Sequence, residues 1–105
     1  MEAQNAIFRA LSDPSRRAIF ERLTQGEYGV KELTACFDIS QPAVSQHLAT
    51  LSDALLVAGR RDGRRTFYRA SPEGLAPLVD WISQYRAFWT ERIDVLQTLL
   101  NEMDE

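Results

Sequence analysis

The sequence has 105 residues, of which 45% are hydrophobic and 26% charged, and its formal net charge is −3 at pH 7. This length suits one compact domain over residues 1–105, and the composition is that of an ordinary globular chain, for which disorder is expected only at the ends. No apolar run approaches the roughly 20 residues that cross a bilayer, and the N-terminus lacks the pattern of a signal peptide. Together with a single cysteine, these features predict a cytoplasmic protein.

Positive charge is concentrated in one segment of this acidic chain. Residues 1–54 and 72–105 have local balances of −2 and −5, whereas residues 55–71 hold five arginines and one aspartate, a balance of +4. A basic segment of this kind can bind an anionic partner such as nucleic acid despite the negative total.

The chain begins with two predicted helices. The first covers residues 3–11 and is too short to be stable without a partner. Asp13 and Pro14 are typical of the N-cap and the first position of a second helix. The side chains expected to face the core are Ile7, Ala10, Leu11, Ala18, Ile19 and Leu23.

Two further short helices follow, separated by a tight turn. The third helix begins at Val30, residues 38–40 form the turn, and Ser40 caps a helix predicted over residues 40–56. The side chains expected to face inward are Leu33, Cys36, Phe37, Val44, Leu48, Leu51 and Leu55. This arrangement is typical of a helix-turn-helix, in which the second helix is the recognition helix.

A hairpin and a long helix complete the predicted fold. Residues 57–70 form two strands around Asp62-Gly63, which indicates the wing of a winged helix. Phe67 and Tyr68 alternate on the second strand, so one should anchor the wing to the core and the other cover its outer face. Residues 72–103 carry a continuous apolar stripe, which predicts one helix about 45 Å long. The fold is therefore expected to be mainly α with a small β-hairpin, in the order α-α-α-α-β-β-α.

The terminal helix has more apolar surface than a domain of this size can cover. A closed homodimer is the simplest way to cover it, with the helix at residues 3–11 as part of the interface. The residues predicted for this interface are Ile7, Leu11, Leu78, Trp81, Ile82, Tyr85, Trp89, Ile93, Leu96 and Leu100.

Three segments carry a family resemblance over residues 5–71. The stretches ALSDPSRRAIFERL, SQPAVSQHLATL and RRDGRRTFYRA, in this order and spacing, resemble the ArsR/SmtB family of bacterial winged-helix transcriptional repressors. The resemblance implies a homodimer that binds an inverted-repeat operator in double-stranded DNA, within the bacterial nucleoid, and blocks transcription. The alternative is an interaction module that uses the same surfaces on a protein partner.

One residue departs from the family pattern. The family usually has glycine where this sequence has Leu55, since glycine lets the recognition helix end in a left-handed conformation. Leucine at this position is expected to lengthen the helix by one or two residues.

The predicted DNA contacts lie on the recognition helix and the wing. Side chains near the N-terminus of a recognition helix read base edges in the major groove. The contacts predicted there are Ser40, Gln41, Ala43, Ser45, Gln46, His47 and Thr50. Arg60, Arg61, Arg64 and Arg65 of the wing are expected to bind phosphate or enter the minor groove.

Three other residues have two interpretations each. His47, the only histidine, is expected to contact a phosphate or a base edge, with a structural hydrogen bond behind the helix as the alternative. Arg16 and Arg17 fit either phosphate contacts or intramolecular ion pairs.

The sequence predicts neither a cofactor nor a metal site. Many family members bind metal through cysteines of the third helix or through carboxylates and histidines of the terminal helix. Here Cys36 is the only cysteine and the terminal helix has no histidine, which leaves too few ligands. We expect Cys36 to be a small buried side chain, with a thiol switch as the alternative. Regulation by a small organic molecule or by another protein is a further alternative. The sequence offers no paired nucleophile and base from which a catalytic site could be built, so we do not expect an enzyme.

Overall fold

The computed structural model describes residues 2–103. Its helices are α1 (Glu2–Ser12), α2 (Pro14–Leu23), α3 (Val30–Cys36), α4 (Gln41–Asp53), α5 (Ala76–Ser83) and α6 (Arg86–Met103), with a 3-10 turn at Pro72–Leu75. Its strands are β1 (Tyr28–Gly29), β2 (Val57–Asp62) and β3 (Arg65–Ala70). The prediction of a mainly helical winged helix-turn-helix with a small β-hairpin is confirmed. Among residues 2–103, no helix is long and apolar enough to cross a membrane.

Helices α1 to α4 and the start of the wing enclose one hydrophobic core. Its members are Ile7, Ala10, Ile19, Phe20, Leu23, Leu33, Val44, Leu48, Leu51, Leu56 and Val57. No polar or charged residue of the described chain is buried with them. The Val44, Leu48 and Leu51 stripe of α4 packs in this core as its spacing predicts, which leaves the opposite face of α4 to solvent.

The caps of α2 and α4 form as the sequence indicates. Asp13 accepts a hydrogen bond from the backbone N–H of Arg16 at 2.9 Å, and Pro14 occupies the first helical position. Ser40 accepts from the backbone N–H of Ala43 at 3.2 Å. Both caps satisfy backbone donors that have no partner inside the helix, and so they fix where α2 and α4 begin.

The wing belongs to a three-stranded antiparallel sheet with the order β1-β3-β2. The short strand β1, which the sequence did not predict, pairs Gly29 with Phe67 and so joins the wing to the start of α3. The loop of the hairpin is Gly63-Arg64, one residue later than predicted, because Asp62 still pairs with Arg65. Gly63 has a φ of +66°, as the first loop residue of a tight hairpin turn requires.

Helix α4 ends earlier than expected. The prediction that Leu55 lengthens the helix and faces the core is wrong: the helix ends at Asp53, and Leu55 is 72% exposed with a φ of +63°. The backbone N–H of Leu55 donates to Ser52 at 3.0 Å, and that of Leu56 donates to Leu51 at 3.0 Å. These bonds form a Schellman motif, which places a leucine in the left-handed position that glycine usually occupies.

The terminal segment is two helices rather than one. Helix α5 ends at Ser83 and α6 begins at Arg86. Between them the backbone N–H groups of Gln84 and Tyr85 donate to residues three positions back, at 3.2 and 3.0 Å, so the chain tightens locally into a 3-10 turn. The prediction of one continuous helix over residues 72–103 is therefore wrong, although nearly all of that segment is helical.

Candidate nucleic-acid interface

The solvent-exposed face of α4 carries the polar side chains that the sequence singled out. Ser40, Gln41, Ser45 and Gln46 are exposed, while Ala43, His47 and Thr50 are partly buried at the margins of the core stripe. The hydroxyl of Ser40 is used as the N-cap, and that of Thr50 donates to the carbonyl of Gln46 at 3.2 Å. Gln41, Ser45 and Gln46 therefore have the freest hydrogen-bonding groups near the start of this helix.

His47 lies on the edge of α4 nearest the core. Its Nδ1 is shielded from solvent and has no hydrogen-bond partner among residues 2–103, so the structural hydrogen bond considered for this residue does not form at that nitrogen within the described chain. This leaves Nε2 as the nitrogen through which the ring could reach another molecule. Asp13 is close enough to His47 for the imidazole to contribute to the lowered pKa of that carboxyl, after the larger effect of the Arg16 backbone N–H.

An open cleft of about 790 Å³ lies between the start of α4 and the tip of the wing. It is lined by Val30, Lys31, Glu32, Ala35, Gln41, Arg64, Arg65 and Thr66. The cleft therefore places one predicted base reader, Gln41, on the same side of the molecule as two wing arginines.

Arg60 is held by carboxylates. Its Nε donates to both carboxylate oxygens of Glu27 at 3.0 Å, and its Nη2 donates to Oε1 at 2.6 Å. Its Nη1 lies 3.8 Å from Asp62 Oδ2. The hydrogen bonds from Arg60 lower the pKa of Glu27, because they favour the ionised carboxylate.

Arg65 is held in a similar way. Its Nη2 donates to Oε1 of Glu32, in the first turn of α3, and this bond lowers the pKa of that carboxyl. The guanidinium carbons of Arg60 and Arg65 lie 5.0 and 4.7 Å from the centre of the Phe67 ring. Phe67 thus covers the outer face of the sheet while Tyr68 packs against the core, as the alternation on this strand predicts.

Arg61 and Arg64 differ from these two residues. Among the residues that the structure describes, neither forms an ion pair, and both are exposed at the tip of the wing. Within the part of the chain that the structure describes, the side chain of Arg61 donates one hydrogen bond, a long one of 3.4 Å to the carbonyl of Gly63. These two guanidinium groups are therefore available to an anionic ligand.

Arg16 and Arg17 do not form the ion pairs that were one of their two interpretations, at least among residues 2–103, and both donate to backbone carbonyls instead. Arg16 donates to the carbonyls of Ala10 at 2.6 Å and Arg9 at 3.0 Å, and Arg17 donates to the carbonyl of Leu11 at 2.7 Å. These carbonyls lie in the last turn of α1, beyond the reach of its backbone N–H donors, so the two arginines cap α1 from the next helix.

Lys31 is a cation on this surface that the sequence reasoning missed. It is exposed in the first turn of α3, lines the cleft beside Gln41 and Arg64, and has no ion pair within residues 2–103. The first helix of a helix-turn-helix crosses the DNA backbone, so an exposed lysine at its start was a usable signal.

The terminal helices expose a broad apolar surface. Eleven of the thirteen exposed large hydrophobic residues of the described chain lie between Val79 and Met103. Of the predicted interface residues, Ile82, Tyr85, Trp89, Ile93, Leu96 and Leu100 are exposed. Leu11, Leu78 and Trp81 are partly buried, and Phe8 packs edge-on against Trp81 at 5.4 Å. The prediction that Ile7 lies in the dimer interface is wrong, because this side chain is 1% exposed and is packed in the core of its own chain.

Cys36 is exposed, so the expectation that it is buried is wrong. It is the last residue of α3, and the core contact passes to Leu33 and Phe37 instead. Among residues 2–103, no group of three or more histidine, cysteine, aspartate or glutamate side chains is placed to hold a metal ion.

The fold and this surface together define a class of protein. A helix-turn-helix whose second helix exposes polar side chains beside a basic wing is typical of DNA-binding regulators. The helix-turn-helix domain model matches residues 11–60 of the chain.

The relatives define the family. The chain is 44% identical over 86 residues to the HTH-type transcriptional regulator Rv2034 of Mycobacterium tuberculosis, which covers 82% of this chain and 78% of the relative. It is 31% identical over 81 residues to the transcriptional repressor SdpR of Bacillus subtilis, with 77% and 90% covered. A crystal structure of an ArsR family transcriptional regulator superposes with a TM-score of 0.75 at 31% identity, covering 85% of this chain and 92% of that one. The chain belongs to the ArsR/SmtB family of winged-helix transcriptional regulators, and DNA is its partner.

Proposed function

We propose that this protein is a homodimeric repressor that binds an operator of two inverted half-sites and needs no metal to do so. The observation that carries the proposal is the open cleft that separates the exposed start of α4 from the wing, with Gln41 on one side and Arg64 on the other. Arg61 and Arg64 at the tip of this wing form no ion pair among the described residues. A surface with these two elements can place a helix in the major groove and a ribbon on the adjacent backbone.

The base contacts of the proposed complex come from α4. Gln41, Ser45 and Gln46 hydrogen-bond to base edges, since glutamine and serine can donate and accept. Ala43 contacts a thymine methyl group. Ser40, His47 through Nε2, and Thr50 contact the sugar-phosphate backbone or base edges at the margins of the helix.

The phosphate contacts come from cations at the wing tip and on α3. Arg61 and Arg64 at the wing tip and Lys31 on α3 are exposed and unpaired among the described residues. Their neutralisation of phosphates supplies the part of the affinity that does not depend on sequence and that falls as salt rises.

The dimer of this proposal uses the terminal helices. Ile82, Tyr85, Trp89, Ile93, Leu96 and Leu100 are 44–60% exposed in the single chain, which is unusual for side chains of this size on a soluble monomer. A second copy related by a two-fold axis covers this surface with the same residues, and it gives two α4 helices for two half-sites.

Selection of bound sequences from random double-stranded DNA, followed by titration at several salt concentrations, tests the proposal. We expect an inverted repeat, a Kd of about 10 nM or tighter at physiological salt, and a steep loss of affinity as salt rises. A chelator should leave the Kd unchanged. Failure to bind DNA at any salt concentration would instead indicate the protein-interaction module, and loss of binding with chelator would indicate a metal-dependent regulator.

A further inference from the structure

Two ion pairs connect the outer face of the wing to residues 27–32, which contain β1 and the start of α3 and are called the β1–α3 segment below. Glu27 and Glu32 lie five residues apart, as do Arg60 and Arg65, and each pair joins residues 33 positions apart in the sequence. One pair therefore forms at each end of the contact between the wing and the β1–α3 segment. A strand of only two residues, β1, supplies the remaining main-chain link between these elements.

The hydrogen-bonding capacity of Arg60 is largely used within the protein. Nε and Nη2 bind Glu27, Nη1 faces Asp62, and the guanidinium lies against the Phe67 ring. A phosphate would have to displace a bidentate carboxylate, which is among the stronger side-chain interactions, to gain a similar contact. The ring contact of Arg65 and its bond to Glu32 restrict that residue in the same way.

Arg61 lies on the other face of the strand. It pairs with Thr66 across the hairpin, whereas Arg60 pairs with Phe67, so the two neighbouring arginines project from opposite faces of the sheet. Arg64 lies in the hairpin loop, beyond the last strand pair. Sequence position alone does not separate these four arginines, but their partners do.

We propose that Arg60 and Arg65 are positioning residues that hold the wing against β1 and α3, and that the wing binds phosphate through Arg61 and Arg64. This inference rests on the proposed DNA-binding function. It means that half of the predicted wing contacts act on the orientation of the wing rather than on the DNA, and that Glu27 and Glu32 belong to the binding apparatus although they are acidic.

A charge swap separates positioning from phosphate contact. The variants are Glu27→Arg, Arg60→Glu and the double variant, all made together with Asp62→Asn so that the carboxylate at position 60 does not face a second acid. Each single reversal places like charges together and should weaken operator binding about tenfold or more, while the double reversal should restore the Kd to within about threefold of the original protein. Binding by the double variant as weak as that of Arg60→Glu would overturn the proposal, because it would show that a cation is needed at position 60. Unchanged binding by both single variants would overturn it as well.

The salt dependence of binding gives a second readout with matched charge changes. Arg61→Gln and Arg65→Gln remove the same charge four residues apart. We expect Arg61→Gln to reduce the slope of log K against log salt by about 0.9 for each wing on the DNA, and Arg65→Gln to leave the slope unchanged while lowering affinity. Equal reductions in slope for both variants would mean that Arg65 also binds phosphate.

Melting of the free protein distinguishes failure of this inference from failure of the proposed function. The double reversal of Glu27 and Arg60 should recover the Tm that each single reversal loses, with no DNA present. If the original protein binds no DNA, the proposed function fails whatever the melting data show. If it binds DNA but the swap recovers neither the Tm nor the Kd, only the positioning role fails.

Discussion

Gly74 lies directly against the backbone of Leu55. A Cβ atom at Gly74 would overlap the carbonyl oxygen of Leu55 and would lie 3.2 Å from the Cα of Leu56. The two residues belong to the 3-10 turn before α5 and to the end of α4, and a hydrogen bond of 2.8 Å from Ser71 N–H to the Leu56 carbonyl joins the same segments. The close approach therefore sets how the terminal helices leave the DNA-reading half of the protein.

Gly74→Ala should destabilise the protein. The added methyl group meets backbone rather than a mobile side chain, so the segments must move apart, at a cost of about 1–3 kcal/mol. The Tm measured by circular dichroism should fall by several degrees. Gly26→Ala is the matched control, because its nearest neighbour would be Tyr28 Cε2 at an ordinary 3.7 Å, and an equal loss of Tm there would rule out the close approach as the cause.

Leu55→Gly should stabilise the protein. Leucine at a φ of +63° is in the left-handed region, which costs L-residues roughly 1–2 kcal/mol relative to glycine. Little burial is lost, since the side chain is 72% exposed, so a net gain of about 1 kcal/mol is expected in chemical denaturation. Leu55→Ala removes the same side chain but keeps the unfavourable φ. An equal gain in stability for Leu55→Ala would mean that removal of the exposed side chain, and not relief of the positive φ, causes the effect.

Arg16→Ala should weaken the junction between α1 and α2. It leaves the carbonyl of Ala10 without its side-chain donor and that of Arg9 with only the Ser12 hydroxyl, and a hydrogen bond from a charged group contributes about 1.5–3 kcal/mol. We expect a loss of about 1–2 kcal/mol because the site is only partly buried. Arg22→Ala, on the same helix, is the control. Similar losses for the two variants would mean that charge or helix propensity, and not the cap, is responsible.

Stability should fall in mild acid through Glu27 and Glu32. Their pKa values are lowered from the ordinary 4.5 by the hydrogen bonds from Arg60 and Arg65. A carboxyl with a lowered pKa stabilises the folded state above its ordinary pKa, and this contribution is lost as pH falls through the lower, folded value. The loss should therefore begin near pH 4.5 and continue below it.

The double variant Glu27→Gln, Glu32→Gln tests this pH dependence. Its Tm should vary less below about pH 5 than that of the original protein, because the pairs are already absent. Glu21→Gln serves as a control for charge, since Glu21 has no ion pair among the described residues. An equally steep fall of Tm in the double variant would contradict the prediction.

Trp89→Glu should separate the proposed dimer into monomers. Trp89 is 49% exposed in the single chain and belongs to the apolar surface of α5 and α6. A buried charge without a partner strongly disfavours an interface, so sedimentation should show at least a tenfold weaker association. Thr90→Glu adds the same charge to the polar side of α6 and should leave association intact. Dissociation in both variants would indicate a general effect of charge.

The elements that local chemistry decides were predictable from the sequence. The caps at Asp13 and Ser40 and the Val44, Leu48 and Leu51 stripe follow from residue type and spacing alone, and the structure confirms them. The end of α4 was not predictable in this way. The packing of Leu56 and the hydrogen bonds of the Schellman motif outweigh the preference of Leu55 for a negative φ.

The site was predictable in position but not in its electrostatics. Residue types and order indicated α4 and the wing, whereas the partners of Arg60 and Arg65 are 33 residues away and depend on strand β1, which is too short to leave a pattern. The break between α5 and α6 was hidden for a different reason. Its apolar spacing continues through Gln84 and Tyr85, and no proline or glycine marks the tightened turn.

Helix α1 contacts both α5, in the terminal segment, and α2, in the DNA-binding part of the protein. Phe8 packs on Trp81, and Gln4 donates to the Pro77 carbonyl at 3.4 Å, while its last carbonyls are bound by Arg16 and Arg17 of α2. In the proposed dimer, the separation of the two α4 helices therefore depends on α1 and α2 moving as one unit. Operators with half-site centres about 34–36 Å apart suit a fixed separation. The tolerance of this protein for altered spacers should therefore depend on Arg16 and Arg17, through the bonds by which they hold α1 to α2.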